Sequence, residues 1–269
     1  MKFPELWGVI NLTPDSFYAG SRFDTAAALA KAEEFLTQGA AMIDVGAEST
    51  RPGAQTIAAE TQIEKIGEFI AGFRKVLGEA ALTRISVDTR DASVMRSAFD
   101  AGIHCINDVS GGSPEIFQLV AEHNAEYVIT HSQGTPQTMQ RSPAYADVLA
   151  EVTGFLTERT QMLRAEGLAQ EKIIWDPGIG FGKNVEHNLT LIANTPQLAA
   201  HGHRLLMGVS RKSFIGKILE KDDPADRLTG TLAVQVYLTL RGCDILRLHD
   251  VREMADCLKL LSALKKYEL

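Results

Sequence analysis

The chain has 269 residues, 45% hydrophobic and 23% charged, with 27 basic and 34 acidic residues and a net charge of −7. A length near 150 residues per domain allows one large domain or two small ones, and this composition excludes a disordered, collagen-like or disulfide-scaffold chain. The negative balance argues against a general nucleic-acid binder or a binder of anionic membranes, while leaving room for a local basic pocket.

The three cysteines, Cys105, Cys243 and Cys257, are isolated and form no CxxC pair. Neither a zinc site nor a disulfide framework is expected, and a reducing, cytoplasmic setting fits. No apolar run reaches the roughly 18 residues needed to span a bilayer. The first residues, which soon meet Asn11 and Asp15, do not read as a signal peptide.

Strand-length apolar runs recur along the chain, each followed by helical spacing. Predicted strands lie over 6–12, 42–46, 84–88, 105–109, 127–131, 173–176, 205–209 and 245–249. Predicted helices lie over 25–38, 57–77, 91–101, 114–123, 145–166, 186–200, 224–241 and 251–265. Asp24 and Asp91 are placed as N-caps, and Ser113-Pro114 and Asp223-Pro224 supply a cap followed by proline. Gly39, Gly102 and Gly242 stand just past C-termini.

Eight alternating pairs in about 250 residues predict an α/β fold, a single-domain (β/α)₈ TIM barrel. An open doubly wound sheet is the competing architecture. The nearest approach to its dinucleotide fingerprint, Gly178-Ile-Gly180-Phe-Gly182-Lys183, lacks the third glycine at the required spacing. No Walker A run is present, and no linker divides the chain.

The predicted strands end in polar residues: Asn11, Asp44 with Glu48, Asp88, Asn107, His131, Asp176, Ser210 to Lys212, and Arg247 with His249. A barrel collects all eight C-terminal ends on one face, where such enzymes hold their catalytic residues. Asp88, Asn107 and Asp176 suit a flat heterocycle rich in N–H groups, because a carboxylate accepts two parallel hydrogen bonds. Arg51, Lys212, Arg247 and His249 form a cationic set suited to a phosphate ester, with Arg247 and His249 on one strand face.

Plainer readings exist for each. Asp176 before Pro177-Gly178 fits turn initiation, and Asn107-Asp108 fits turn chemistry before Gly111-Gly112. Arg211-Lys212 fits a solvated pair, and His249-Asp250 fits a helix start capped by Asp250. His104, His123, His187, His201 and His203 take the plain reading, as do Trp7 and Trp175, which belong to strand packing. A polar pocket at the barrel mouth explains the remaining set together.

The motifs themselves carry a resemblance. Gly8-Val-Ile-Asn11-Leu-Thr-Pro-Asp15-Ser-Phe17 and Asp44-Val-Gly-Ala-Glu48-Ser-Thr-Arg-Pro-Gly-Ala54 resemble the two signatures of the dihydropteroate synthase family. The resemblance continues through Val87-Asp-Thr89, Ile106-Asn-Asp-Val-Ser-Gly111, Asp176-Pro-Gly-Ile-Gly-Phe-Gly-Lys183, Gly208-Val-Ser-Arg-Lys-Ser-Phe214 and Arg247-Leu-His-Asp-Val251. The matches run in order from residue 8 to 251, one after nearly every predicted strand.

That resemblance implies a barrel that condenses 6-hydroxymethyl-7,8-dihydropterin diphosphate with 4-aminobenzoate. The products are 7,8-dihydropteroate and diphosphate, in folate synthesis, and sulfonamides are the inhibitors. Carried onto this chain, Asp88, Asn107, Asp176 and Lys212 bind the pterin. Asn11, Arg247 and His249 hold the diphosphate, with Mg²⁺ bound through Asn11. Thr50, Arg51, Pro52, Phe181 and Ser213 shape the 4-aminobenzoate site, with Thr50 also at the pterin diphosphate. Arg51, Lys212, Arg247 and His249 form the implied catalytic set, and the implied assembly is a homodimer built on the later helices. Two departures stand out. Ser16-Phe-Tyr-Ala-Gly-Ser-Arg22 replaces a shorter Asp-Gly-Gly-like stretch, and Thr130-His131-Ser132 stands where methionines often flank the histidine. No catalytic role is assigned to His131.

Two other functions share parts of this pattern: methyl transfer from methyltetrahydrofolate to a corrinoid protein, and pterin binding without catalysis. Neither has a use for the Ser-Thr-Arg-Pro loop together with Arg247 and His249.

Overall fold

Strand and helix alternate until the sheet closes on itself. A computed structural model describes residues 2–12, 24–48, 56–134 and 143–267. Its eight strands pair in parallel and in chain order into a closed barrel. They are β1 (Glu5–Asn11), β2 (Met42–Gly46), β3 (Ile85–Asp88), β4 (Cys105–Asp108), β5 (Glu126–Thr130), β6 (Ile173–Asp176), β7 (Arg204–Met207) and β8 (Ile245–Leu248). Closure is made by β8 against β1, with Trp7 beside Arg247 and Gly8 beside Leu248. Around the barrel run α1 (Thr25–Thr37), α2 (Ala59–Leu77), α3 (Ala92–Asp100), α4 (Pro114–Glu122), α5 (Val148–Ala165), α6 (Val185–Ala193), α7 (Thr195–Ala199), α8 (Ser213–Leu219), α9 (Leu228–Leu240) and α10 (Val251–Lys265).

Successive strand residues face opposite sides, so each strand serves two environments. Trp7, Met42, Cys105, Val128, Ile174, Leu206 and Ile245 form a separate apolar cluster inside the barrel. Outward-facing Ile43, Val45, Val87, Ile106, Ile129 and Trp175 join the larger core beneath the helices. Two residues further on, six of the inward positions become Asp44, Asn107, Thr130, Asp176, Gly208 and Arg247. The barrel interior therefore turns from apolar to polar within one pleat repeat, towards the C-terminal ends. At the other end Arg204 ties Glu5 of β1 (2.8 Å) to Glu126 of β5 (3.1 Å).

The expected caps are present on α1, α3 and α4: Asp24 accepts from Ala27 N–H, Asp91 from Ser93 and Val94 N–H, and Ser113 from Ile116 N–H ahead of Pro114. Gly39, Gly102 and Gly242 all follow their helices with positive φ.

Four readings are corrected. The helix expected over 186–200 is two, α6 and α7. Pro196 has no N–H to donate to the preceding turn, so the ladder breaks at Asn194. Asp223-Pro224 opens a 3₁₀ turn (Pro224–Arg227) that leads into α9, and α8 is an additional helix between β7 and that turn. Asp250 makes no cap hydrogen bond to α10. It instead pairs with Arg211, whose Nε and terminal N–H groups reach its two oxygens at 3.0 and 2.7 Å. Arg211 is accordingly buried rather than solvated, and it also donates to the carbonyls of Pro224 and Ala225.

Candidate active site

Thr50, Arg51 and Pro52 lie outside the described residues, as do residues 13–17 of the first motif and 49–54 of the second. The other residues expected at the mouth converge there. Asp88, Asn107 and Asp176 are buried at the ends of β3, β4 and β6. Parallel pairing sets Asp88 beside Asn107 and Thr130 beside Asp176.

Asp44 sits at the centre of this group, fully buried on β2. Its Oδ2 accepts from Asn107 Nδ2 at 2.9 Å and from Arg247 Nε. Arg247 also donates a terminal N–H to Asp88. Burial works against the guanidinium charge, but Asp44 and Asp88 outweigh it and hold Arg247 above its ordinary pKa. For Asp88 burial dominates and pushes the carboxyl up to about 7, with Arg247 opposing and Asp44 adding to the rise. Arg247 is thus engaged by two carboxylates rather than standing free as an anion clip. Two buried acceptors, Asp44 Oδ1 and Asn107 Oδ1, have no hydrogen-bond partner among the described residues.

Asp176 Oδ1 accepts from the backbone N–H of Gly178 at 2.8 Å. Burial raises its pKa, and Lys212 opposes that rise. Lys212, at the N-terminus of α8, donates to the carbonyl of Ile179, and its Nζ lies 4.7 Å from the centre of the Phe181 ring. Burial lowers its pKa to about 8 against the pull of Asp176. Gly208 lies beside this amine, and a Cβ there would make only ordinary van der Waals contact with Nζ, at 3.7 Å. Ser213, the first residue of α8, is exposed beside Lys212.

His249 lies one residue past the end of β8, so it is a loop residue rather than a strand residue. Its Nδ1 pairs with Ser210 Oγ at 2.9 Å. Burial pushes its pKa down to about 4, with Asp250 opposing. At neutral pH it is therefore a neutral imidazole, which differs from its expected character as a cation. Asn11 closes β1 at the same end and is half-buried.

In the sequence Asp44 stands at a predicted strand end with no role of its own. The available signal was a charged residue in period-2 register with Met42 inside the otherwise apolar strand Met-Ile-Asp-Val-Gly. Glu48, likewise a strand-end acid with no role legible in the sequence, forms a two-pronged pair with Arg90, both bonds 3.0 Å. Lys183, read only as part of a glycine motif, is buried against His131.

This arrangement has counterparts among known proteins. Residues 7–249 match the family described as pterin binding enzyme. A dihydropteroate synthase of Synechocystis sp. is 42% identical over 260 residues, covering 96% of this chain and 89% of the relative. The chain belongs to the dihydropteroate synthase family. Its activity is a transferase activity of that kind, in folate biosynthesis. Two solved structures agree with the fold at high similarity. The Yersinia pestis dihydropteroate synthase in a sulfonamide drug complex has a TM-score of 0.91 at 33% identity, covering 98% of this chain and 95% of that one. The Xanthomonas albilineans dihydropteroate synthase with 4-aminobenzoic acid has a TM-score of 0.88 at 34% identity, covering 98% and 93%.

Proposed function

We propose that this barrel mouth binds 6-hydroxymethyl-7,8-dihydropterin diphosphate and joins its exocyclic methylene carbon to the amine of 4-aminobenzoate. The supporting observation is the set of buried acceptors at the mouth, Asp44 Oδ1 and Asn107 Oδ1 without partners among the described residues, together with Asp176, which interacts electrostatically with Lys212. An amino-pyrimidinone edge offers N–H donors to such acceptors and a carbonyl to Lys212. Unpaired buried acceptors are costly in the free protein, so a ligand that supplies donors gains affinity and selectivity here.

The bond from the methylene carbon to the diphosphate oxygen breaks, the carbon–nitrogen bond forms, and the arylamine nitrogen loses its extra proton. The dihydropterin can delocalise positive charge as the first bond weakens, and Asp88 and Asp176 favour that charge electrostatically. An arylamine is already nucleophilic, so no activated serine or cysteine is required. Arg247 and His249 line the path of the leaving diphosphate: Arg247 as a cation, His249 as a neutral hydrogen-bonding group oriented by Ser210. Phe181 and Ser213, with Thr50, Arg51 and Pro52, form the 4-aminobenzoate side. Sulfonamide inhibitors are assigned to the same place.

Mg²⁺ fits the donor set at one point. The Asn11 carboxamide is a hard oxygen donor at the mouth, and Mg²⁺ ordinarily combines one or two protein ligands with phosphate oxygens and water. Among the described residues no cluster of three acidic, histidine or cysteine side chains could hold a metal by itself. The ion is therefore assigned to the diphosphate with Asn11, where it would neutralise leaving-group charge.

Exposed Ile218 and Leu219 on α8, Leu240 on α9, and Leu260 and Leu264 on α10 support a homodimer built on these helices. Within α9 no residue from Leu228 to Leu240 is charged. Three free cysteines support a cytoplasmic location, and no described helix is long and apolar enough to cross a membrane.

Turnover of dihydropterin diphosphate with 4-aminobenzoate tests the assignment. Release of dihydropteroate and diphosphate is expected. Methyl transfer from methyltetrahydrofolate, or pterin binding with no product, would overturn it.

A further inference from the structure

The turn joining β6 to α6 carries much of the pocket. Its Gly178 N–H meets Asp176, its Ile179 carbonyl receives Lys212, and its Phe181 ring lies against the Lys212 amine. The backbone takes positive φ at Gly178 and at Gly182 and presses directly on the end of β5. A Cβ at Gly178 would lie 1.8 Å from the carbonyl oxygen of His131, and one at Gly182 would lie 2.4 Å from that of Gln133. A glycine-rich turn loses more conformational entropy on ordering than other sequences, so its path needs external ties.

Lys183 supplies them. Only 2% exposed, its Nζ donates to the carbonyls of Gly178 (3.0 Å) and Phe181 (3.1 Å) and meets His131 Nδ1 at 2.9 Å. The His131 carbonyl lies at 3.4 Å. Burial pushes the imidazole of His131 down to about 3, so the ring is neutral and offers Nδ1 as an acceptor. Tyr145 completes the set, donating its hydroxyl to the Gly182 carbonyl at 2.9 Å. Of the turn carbonyls at 178, 179, 181 and 182, only that of Ile179 relies on a donor belonging to the pocket. A pterin carbonyl that draws Lys212 away releases that contact and leaves the turn to Lys183, Tyr145 and Asn188, whose Oδ1 accepts from the Gly180 N–H at 2.7 Å.

We propose that Lys183 is a positioning residue for this transferase, holding the 178–182 turn against His131 so that Asp176 and Phe181 keep their places while Lys212 engages the substrate. The inference rests on the pocket assignment above. It accounts for a buried amine with no carboxylate in its hydrogen-bond shell among the described residues, a costly arrangement unless its donors are needed.

The test is Lys183→Met, with His131→Leu and His131→Gln as a second pair, read by steady-state kinetics and by calorimetry with a pterin analogue and with magnesium diphosphate. For Lys183→Met the expected result is an about fivefold or greater rise in KM for 4-aminobenzoate and a similar loss of pterin affinity. Diphosphate binding should stay within about twofold, because His249 and its partner Ser210 belong to the ends of β8 and β7 rather than to the turn. His131→Leu should shift the same two quantities, and His131→Gln, which keeps an acceptor, should restore them. Lys183→Met with both quantities unchanged, or with all three ligands weakened together, overturns the proposal. Should Lys183→Met fail to fold, the His131 pair decides by the same criteria. Lys212→Ala separates the two levels. Unchanged pterin affinity in that variant defeats the pocket assignment itself, whereas a loss there without one in Lys183→Met defeats only the positioning role.

Discussion

At the scale of single residues, Arg247 and Asp176 do different work with similar burial. Among the described residues the Asp176 side chain accepts one backbone hydrogen bond, from Gly178 N–H, and none from another side chain of the pocket. Asp176→Ala is therefore expected to weaken a pterin analogue by tenfold or more, about 1–3 kcal/mol of lost hydrogen bonding, with little change in Tm. Calorimetry and thermal unfolding check the two halves, and unchanged affinity removes Asp176 from the site. Arg247 neutralises Asp44 and Asp88, so Arg247→Met leaves two buried carboxyls without a cation. Breaking such a pair costs about 3–5 kcal/mol. The loss should depend on pH. Without Arg247 the folded-state pKa of Asp88 rises further above its unfolded value. A raised carboxyl contributes stability below the unfolded pKa and loses it as pH rises through the folded one. Urea unfolding should show a larger deficit at pH 8 than at pH 5.5, and equal deficits would mean the carboxyls are not coupled to Arg247.

At the scale of elements, strand ends tie loops to the pocket. Glu48, just past β2, accepts both prongs of Arg90 and, at 3.4 Å, the N–H of Ile57. The residues on either side of 49–55 thus converge on one carboxylate, beside the strand that ends in Asp88. Arg90→Met is expected to raise KM for 4-aminobenzoate about tenfold, the size of one charge-assisted hydrogen bond, while pterin affinity holds. A loss of pterin affinity instead would show that Arg90 supports β3 rather than the loop base. The end of β5 makes a pH prediction. His131, lowered by burial and then by the Lys183 charge, has its folded pKa below the unfolded value. Its contribution to stability is complete above the unfolded pKa near 6.5 and is lost as pH falls towards 3. Relative to wild type, His131→Asn should therefore be less destabilised at pH 5 than at pH 7.5 in denaturant titrations.

For the whole molecule, exposed leucines also occur on α2 (Leu77) and α6 (Leu189), but Ile218, Leu219, Leu240, Leu260 and Leu264 fall on the consecutive helices α8, α9 and α10. The proposed homodimer places these residues at its interface, a two-fold pair being the commonest closed assembly. Leu260→Glu is expected to shift sedimentation from dimer to monomer at micromolar concentration without unfolding the barrel, because Leu260 is 64% exposed in the single chain. A wild-type chain that sediments as a monomer would remove the dimer.

Much of this protein was legible from one dimension. Strand and helix periods, the caps at Asp24, Asp91 and Ser113, and the polar ends of eight strands determined a barrel with a charged mouth, because those signals are local and repeat every turn or pleat. The ordered motifs determined the family. What only the tertiary structure decided were the partners. Asp250 reads as a helix cap until Arg211, thirty-nine residues away in sequence, claims both its oxygens. Arg247 reads as a free cation until barrel closure brings it to Asp44 and Asp88, and His249 reads as a charge until burial makes it neutral. Lys183 reads as part of a glycine motif until the turn folds onto β5. Pairing and desolvation depend on which distant segments meet, and closing the barrel is what brings them together.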